Sequence, residues 1–368
     1  MTKHGSFKKV VRRHAQETGQ RYTEALANLE GVEERLFHKP STDRLLAHLN
    51  DRYGVEATVA TKTSQHNDHV FRIDRNNGDP WIARIYPPAR PRAGVEGDAA
   101  ILRFLERRDY PAERLAVDDA VSDLDGASVL VTGIVEGGEL PDGSKKIAMM
   151  GDLLGRLHAL ELEDSTSRPG GAAGDDPRRE GSPSQDLTAA LSFLDAVDTK
   201  VAPASRKLFE HLRGQVRSAD AGEGLPEALL HGNLLHNPDH ALLTDNGPVA
   251  INWKAAGRGP RLADFAYLLW GAEWGDGDGV DAAVHAYCRH VELTEEELNR
   301  LEAVMYLRPL YLACFDFRRS VSSGEQPTGS EWWWGLIDPE HISANAAATK
   351  TALDRWRLQH AARRPGRR

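Results

Sequence analysis

The segment LLHGNLLHNPDHALLTDNGPVAINWKAAGRGPRLADF, Leu229 to Phe265, places three kinds of polar side chain close together in the chain. His231, His236 and His240 supply imidazoles, Asn233, Asn237 and Asn252 carboxamides, and Asp239, Asp245 and Asp264 carboxylates. A carboxamide orients a hydroxyl and lends a carbonyl oxygen to a cation, but it carries no charge and takes up no proton. The histidines with Asp239 follow no tetrahedral zinc spacing, so they read as polar loop residues. Asp245 belongs to hairpin-turn chemistry. Asp264 opens the apolar run ADFAYLLW and fits a helix N-cap.

Such side chains need a frame, and the rest of the chain supplies the pattern for one. STDRLLAHLNDRYG reads as a helix with a Ser/Thr cap and a glycine stop. VEATVATKTS, HVFRID, PWIARIYP and SVLVTGIVEG are β-like, and DRNNGDP between the second and third is hairpin chemistry. EGDAAILRFLERRD is a helix between the third and fourth, so a mainly antiparallel sheet with one inserted helix is predicted over about residues 55–136. Beyond Gly138 the chain turns helical, starting with the amphipathic KKIAMMGDLLGRLHALEL. Residues 163–186 are rich in Gly, Pro, Ser and Asp and read as a flexible insertion.

The predicted organisation is an extension over residues 1–40, a sheet-rich lobe over 41–136, a helical lobe over 137–360 and a basic tail over 361–368. The extension has the spacing of an αα-hairpin. Its Lys8, Lys9, Arg12 and Arg13 read first as a solvated face, with a docking surface as the sharper alternative.

In this order the pieces resemble the aminoglycoside phosphotransferase / choline kinase family, over about Ser41 to Phe315. The resemblance implies an α+β, bilobal, protein-kinase-like fold. It implies that Arg84 in PWIARIYPP faces the nucleotide phosphates, with Asp98 or Glu96 as its acid partner. It further implies that the linker VLVTGIVEG, represented by Val131 and Ile134, meets adenine, and that Ser64 or Asn67 donates to a phosphate. His231 and Asn233 would lie in the catalytic loop, with Asp264 bracing it. Asn252, Asn237 and Asp239 would lie around the metal.

Where the family carries a catalytic aspartate and a metal-binding aspartate, this chain has Asn233 and Asn252. General-base assistance is worth ~10²–10⁴ in rate, and a carboxamide supplies none. Mg²⁺ favours anionic oxygen, which a carboxamide does not provide either. The family's metal-binding asparagine falls at Pro238, flanked by Asn237 and Asp239, and Asp239 turning inward would restore one carboxylate. ATP and Mg²⁺ are therefore expected to be weakened or lost.

Three readings are open. The first is a pseudokinase or impaired kinase that binds a nucleotide, small ligand or partner protein. The second is an active ATP-dependent phosphotransferase acting on a hydroxyl of an antibiotic-like molecule or a peptide Ser/Thr. The third takes both asparagines as introduced isosteric replacements of aspartates. Glu273, Asp276, Asp278 and Asp281 suit a cationic acceptor, or simply a surface loop, and Trp332 to Trp334 suit a groove or partner. A net charge of −9 argues against a nucleic-acid partner. With no long apolar run, a cytoplasmic protein with two buried thiols, Cys288 and Cys314, is expected.

Overall fold

The computed structural model describes residues 40–63, 69–86, 88, 90–163, 183–234, 240–272 and 278–361, apart from the side chains of 332, 333, 336 and 361. The expected helical extension up to residue 39 and the tail from 362 lie outside them. Helix α1, Thr42–Tyr53, begins where the Ser41 hydroxyl accepts from the Arg44 amide and ends at Gly54, whose φ of 62° is left-handed. Leu45 and Leu49, one turn apart, bury its inner face.

The sheet comprises β1 Ala57–Lys62, β2 Val70–Arg75, β3 Trp81–Tyr86, β4 Val121–Leu124 and β5 Ala127–Gly133, in the order β1-β2-β3-β5-β4. Every neighbouring pair is antiparallel. Phe71, Ile73, Trp81, Ala83 and Ile85 alternate along β2 and β3 into one buried face. The short strand β4 was not anticipated. It turns into β5 through Asp125 and Gly126, with φ of 55° and 84°, an Asp-Gly hairpin signal.

Helix α2, Arg92–Arg107, crosses between two cores. Val95 and Ala99 join the sheet's core, while Ile101, Leu102, Phe104 and Leu105 join the larger helical one. The segment after it stitches the lobes by backbone: Ala112 bridges Ala250, and Leu115 bridges Thr132. A second stitch joins Gly138 and Leu243 through reciprocal hydrogen bonds of 2.9 and 2.8 Å.

The large lobe contains α3 Ser144–His158, α4 Pro183–Asp195, α5 Pro203–Ser218, β6 Glu227–Leu230, β7 Ala241–Thr244, β8 Gly247–Ala250 and β9 Gly257–Pro260. It continues through α6 Arg261–Ala272, α7 Gly279–Tyr287, α8 Glu295–Met305, α9 Leu307–Ser322 and α10 Pro339–Ala361. Helix α4 corrects the expected extent of the insertion. Pro183 and Asp186 are buried helix residues, and Asp186 lies 3.4 Å from the buried Arg308. Composition masked this, because Pro and Ser suit a helix start as well as a loop.

Cys288 and Cys314 are free and buried, and burial pushes the Cys288 thiol up to about 12. Trp334 packs 5.5 Å from the His211 ring. Among the described residues no helix is long and apolar enough to cross a membrane.

Candidate functional site

Strand β6 delivers His231 directly after Leu230, and its partner β9 leads into α6, which carries Asp264. This pairing sets a carboxylate behind the loop. The His231 amide donates to Asp264 Oδ2 at 2.6 Å, and the Gly232 amide donates to both carboxylate oxygens at 3.1 Å. Asp264 lies inside the first turn of α6, where the helix dipole also favours its charge. The Asp264 carboxylate thus ties the start of α6 to the loop through the amides of His231 and Gly232.

Gly232 is required on steric grounds: its φ is 79°, and a Cβ would stand 2.5 Å from the Ala255 carbonyl oxygen. His231 is fully buried, bonds Ile251 O through Nε2 at 3.0 Å, and packs 4.7 Å from the Trp253 ring. Its contacts are those of a framework residue.

Of two groups behind the brace, His158 lies in LLGRLHAL, a piece of the family resemblance that implies no role for it, and Tyr287 carries no sequence signal of its own. His158, from the end of α3, points Nε2 at Asp264 from 3.9 Å and shares a 2.9 Å hydrogen bond with Tyr287 Oη. Burial lowers the His158 pKa. Burial works against the Asp264 charge, but His158 and the Gly232 amide outweigh it and hold that pKa below the ordinary carboxylate value.

The cleft side of the loop is built differently. Asn233 is half-buried, and its Nδ2 lies 3.2 Å from His240 Nε2. Burial first, then the neighbouring His231, Lys254 and Arg308, push the His240 pKa down to about 3. A neutral imidazole held that low is a poor proton acceptor. Asn252 follows β8 in the left-handed region, φ 68° and ψ 58°, which asparagine tolerates better than most residues. Its amide donates to Glu113 Oε1 at 2.8 Å.

Asn237, Asp239 and His236 lie outside the described residues, as do Ser64 and Asn67. Among the described residues, no group of three or more His, Cys, Asp or Glu side chains could hold a metal ion. Among the described residues, positions 233 and 252 offer neutral carboxamides, which lack the anionic oxygen a divalent cation favours.

On the opposite lobe, Arg84 corrects the expected ion pair. Its guanidinium binds Glu113 Oε2 at 2.7 Å and Thr132 Oγ1 at 3.0 Å. Asp98 is paired instead with Arg90, both buried, and Glu96 with Arg92 on the helix surface at 2.7 Å. Asp98 has one methylene fewer than a glutamate and a competing arginine beside it. Glu113 lies on the segment that stitches the lobes and so reaches Arg84 and Asn252 together. Burial disfavours the Arg84 charge, but Glu113 outweighs it and raises the pKa. A lone acid beyond a helix stop gave no sequence signal.

The linker expectation also shifts. The Val131 amide donates to Ala120 O at 3.0 Å, and its carbonyl accepts from Ala116. The Ile134 amide donates to Pro80 O at 3.3 Å. Val131 lies within β5 and Ile134 directly after it, and both amides are already engaged, so neither is open to adenine. The backbone between β5 and the Gly138 stitch is residues 134–137.

On the acceptor side, Asp281 is held by Arg355 of α10, with both oxygens at 2.7 Å. Asp278 lines an open surface depression with Asp281, Ser144, His285 and Arg355. Glu273 and Asp276 lie outside the described residues. Asp281 is therefore a structural ion-pair partner rather than an unoccupied cation receptor.

The sequence matches the model of the phosphotransferase enzyme family over residues 61–301. Among solved structures, an amicoumacin kinase in complex with AMP-PNP, calcium and Ami superposes with a TM-score of 0.58 at 12% identity, covering 87% of this chain and 96% of that one. An aminoglycoside phosphotransferase from Alicyclobacillus acidocaldarius gives 0.52 at 15% identity, covering 88% and 97%. A spectinomycin phosphotransferase in complex with ADP and spectinomycin gives 0.51 at 12% identity, covering 85% and 99%. No curated protein matches the sequence. The bilobal fold, the braced loop and the family match over most of the chain converge: the chain belongs to the phosphotransferase enzyme family.

Proposed function

We propose that this chain is a catalytically impaired member of its family, a pseudokinase whose cleft binds a nucleotide or a related small molecule. One observation carries the reading. The two positions that would hold a base and a metal carboxylate are Asn233 and Asn252, and the titratable side chain beside Asn233, His240, is too weakly basic to replace the lost acid. Phosphoryl transfer depends on positioning together with charge stabilisation. On this reading the described part of the cleft keeps its loop geometry, while positions 233 and 252 carry no charge.

The test is calorimetric titration with ATP, with and without Mg²⁺, alongside an assay for ATP consumption. The reading expects binding that Mg²⁺ changes little and no turnover above the uncatalysed rate. Turnover that requires Mg²⁺ would sink it. That result would favour the second reading, an active kinase for a hydroxyl-bearing small molecule. Its support is that the structural relatives named above include kinases of antibiotics, two of them with a nucleotide in place.

A further inference from the structure

The face of the five-stranded sheet that turns away from its own core looks across at the large lobe. Register fixes its members. Thr61, Arg72 and Ile82 are cross-strand partners along one row of β1, β2 and β3, and Ile82 pairs in turn with Thr132 of β5. Val70 and Arg84 belong to the next row. Strands alternate, so these side chains stand opposite to the buried Phe71, Ile73, Ala83 and Ile85. Arg84 shows which way the face looks, because it meets Glu113, which also holds the Asn252 amide of the large lobe.

This face is only partly covered. Val70 and Ile82 are half-buried, and Val59, the cross-strand partner of Asp74, is 49% exposed. Among the described residues, Val59 and Leu358 are the large apolar side chains left exposed. One cation stands among the apolar groups. Arg72 Nε donates to Asp74 Oδ1 at 2.9 Å, and its Nη1 lies 3.6 Å from Glu136, in the backbone that leaves β5 for the large lobe. Both of these pairs are solvent-exposed and open easily, unlike the buried pair of Arg84 with Glu113.

An apolar strip with a guanidinium in it matches one kind of occupant. A flat aromatic ring buries its surface against Val70 and Ile82 and offers its electron-rich face to the cation. A phosphate gains nothing from the apolar neighbours, and Asp74 and Glu136 repel an anion at this point. Arg84, in the next row, is the cation that meets the loop of the large lobe.

We propose that Arg72 recognises the base of the ligand in this cleft, its guanidinium stacking on the aromatic ring of a bound nucleoside beside Val70 and Ile82. The proposal rests on the nucleotide reading above and adds which side chain reads the base.

The experiment is calorimetry in EDTA with adenosine, ATP and inorganic tripolyphosphate, for the full chain, Arg72→Ala and Arg72→Gln. Each substitution should weaken adenosine about five- to tenfold, the strength of a partly desolvated contact between a cation and a ring. ATP should weaken by the same factor to within about threefold, because it carries the same base. Tripolyphosphate has no base, so its affinity should stay within about twofold across the three proteins. If Arg72→Ala does not fold, Arg72→Gln, which keeps most of the side chain's length, still decides.

Folded variants that bind adenosine as tightly as the full chain overturn the proposal, as does a loss confined to ATP and tripolyphosphate. A full chain that binds ATP but no adenosine, or variants that lose all three ligands alike, also overturns it. In each of these cases the nucleotide reading survives. If neither adenosine nor ATP binds any of the three proteins, the proposal and the nucleotide reading fall together.

Discussion

The two faces of the loop that begins at His231 are built on opposite principles. Behind it, Asp264 keeps a full negative charge in a buried setting, fed by two backbone amides and faced by His158. In front of it, Asn233 and Asn252 present neutral carboxamides, and their neighbours are a neutral His240 and the amide contact to Glu113. The charge that shapes the loop is kept, whereas the described side chains at 233 and 252 carry none. On the proposed reading, loop geometry and reactivity are separable in this fold, because hydrogen bonds to backbone set the first while net charge at two side chains sets the second.

The comparison breaks most visibly if the rear charge is removed. Asp264→Ala strands the amides of His231 and Gly232 inside the protein, and should cost about 3–5 kcal/mol in a denaturant melt. Asn233→Asp and Asn252→Asp, on the front, should each stay within about 1 kcal/mol in the same measurement, because both sites are half-buried and asparagine and aspartate share their backbone preferences. Equal losses on the two sides would erase the distinction.

Acid sharpens it next. His158 and His240 have pKa values below the ordinary 6.5, so the fold holds them neutral while the unfolded chain takes up protons below that pH. Stability should be complete above about pH 6.5 and fall as pH drops towards the His240 value near 3, by at most about 1.4 kcal/mol per pH unit for each histidine. Thermal melts from pH 7.5 to 4.5 measure this. A smaller effect separates the faces: Asn233→Asp places a carboxylate beside His240, raises its pKa and flattens that histidine's share of the slope. The His158 share, behind the loop, should not change. NMR titration of the two imidazoles resolves them.

Much of this was legible in the sequence. The β-rich then helical order and the capped helix at Ser41 were legible because hydrophobic period and turn chemistry are local properties, and the family resemblance of the pieces from Arg84 to Asp264 implied the bilobal architecture. The pairing of charges was not legible. Arg84 had Asp98 and Glu96 as its nearest acids in the pattern, yet Glu113 reaches it, since side-chain length and Arg90 decide among acids that are close in space. His158 and Tyr287 join the brace through helices far apart in the chain. Val131 read as linker because a buried strand and an apolar linker have the same composition.

The most direct test of the central claim is restoration of the two charges. The double variant Asn233→Asp/Asn252→Asp and the chain itself are titrated with ATP and Mg²⁺ and assayed for ATP consumption. The account predicts that Mg²⁺-dependent binding appears in the variant and that its turnover exceeds that of the chain by at least about 100-fold. A variant that neither binds ATP with Mg²⁺ nor turns it over, or a native chain whose Mg²⁺-dependent turnover already equals the variant's, contradicts the claim.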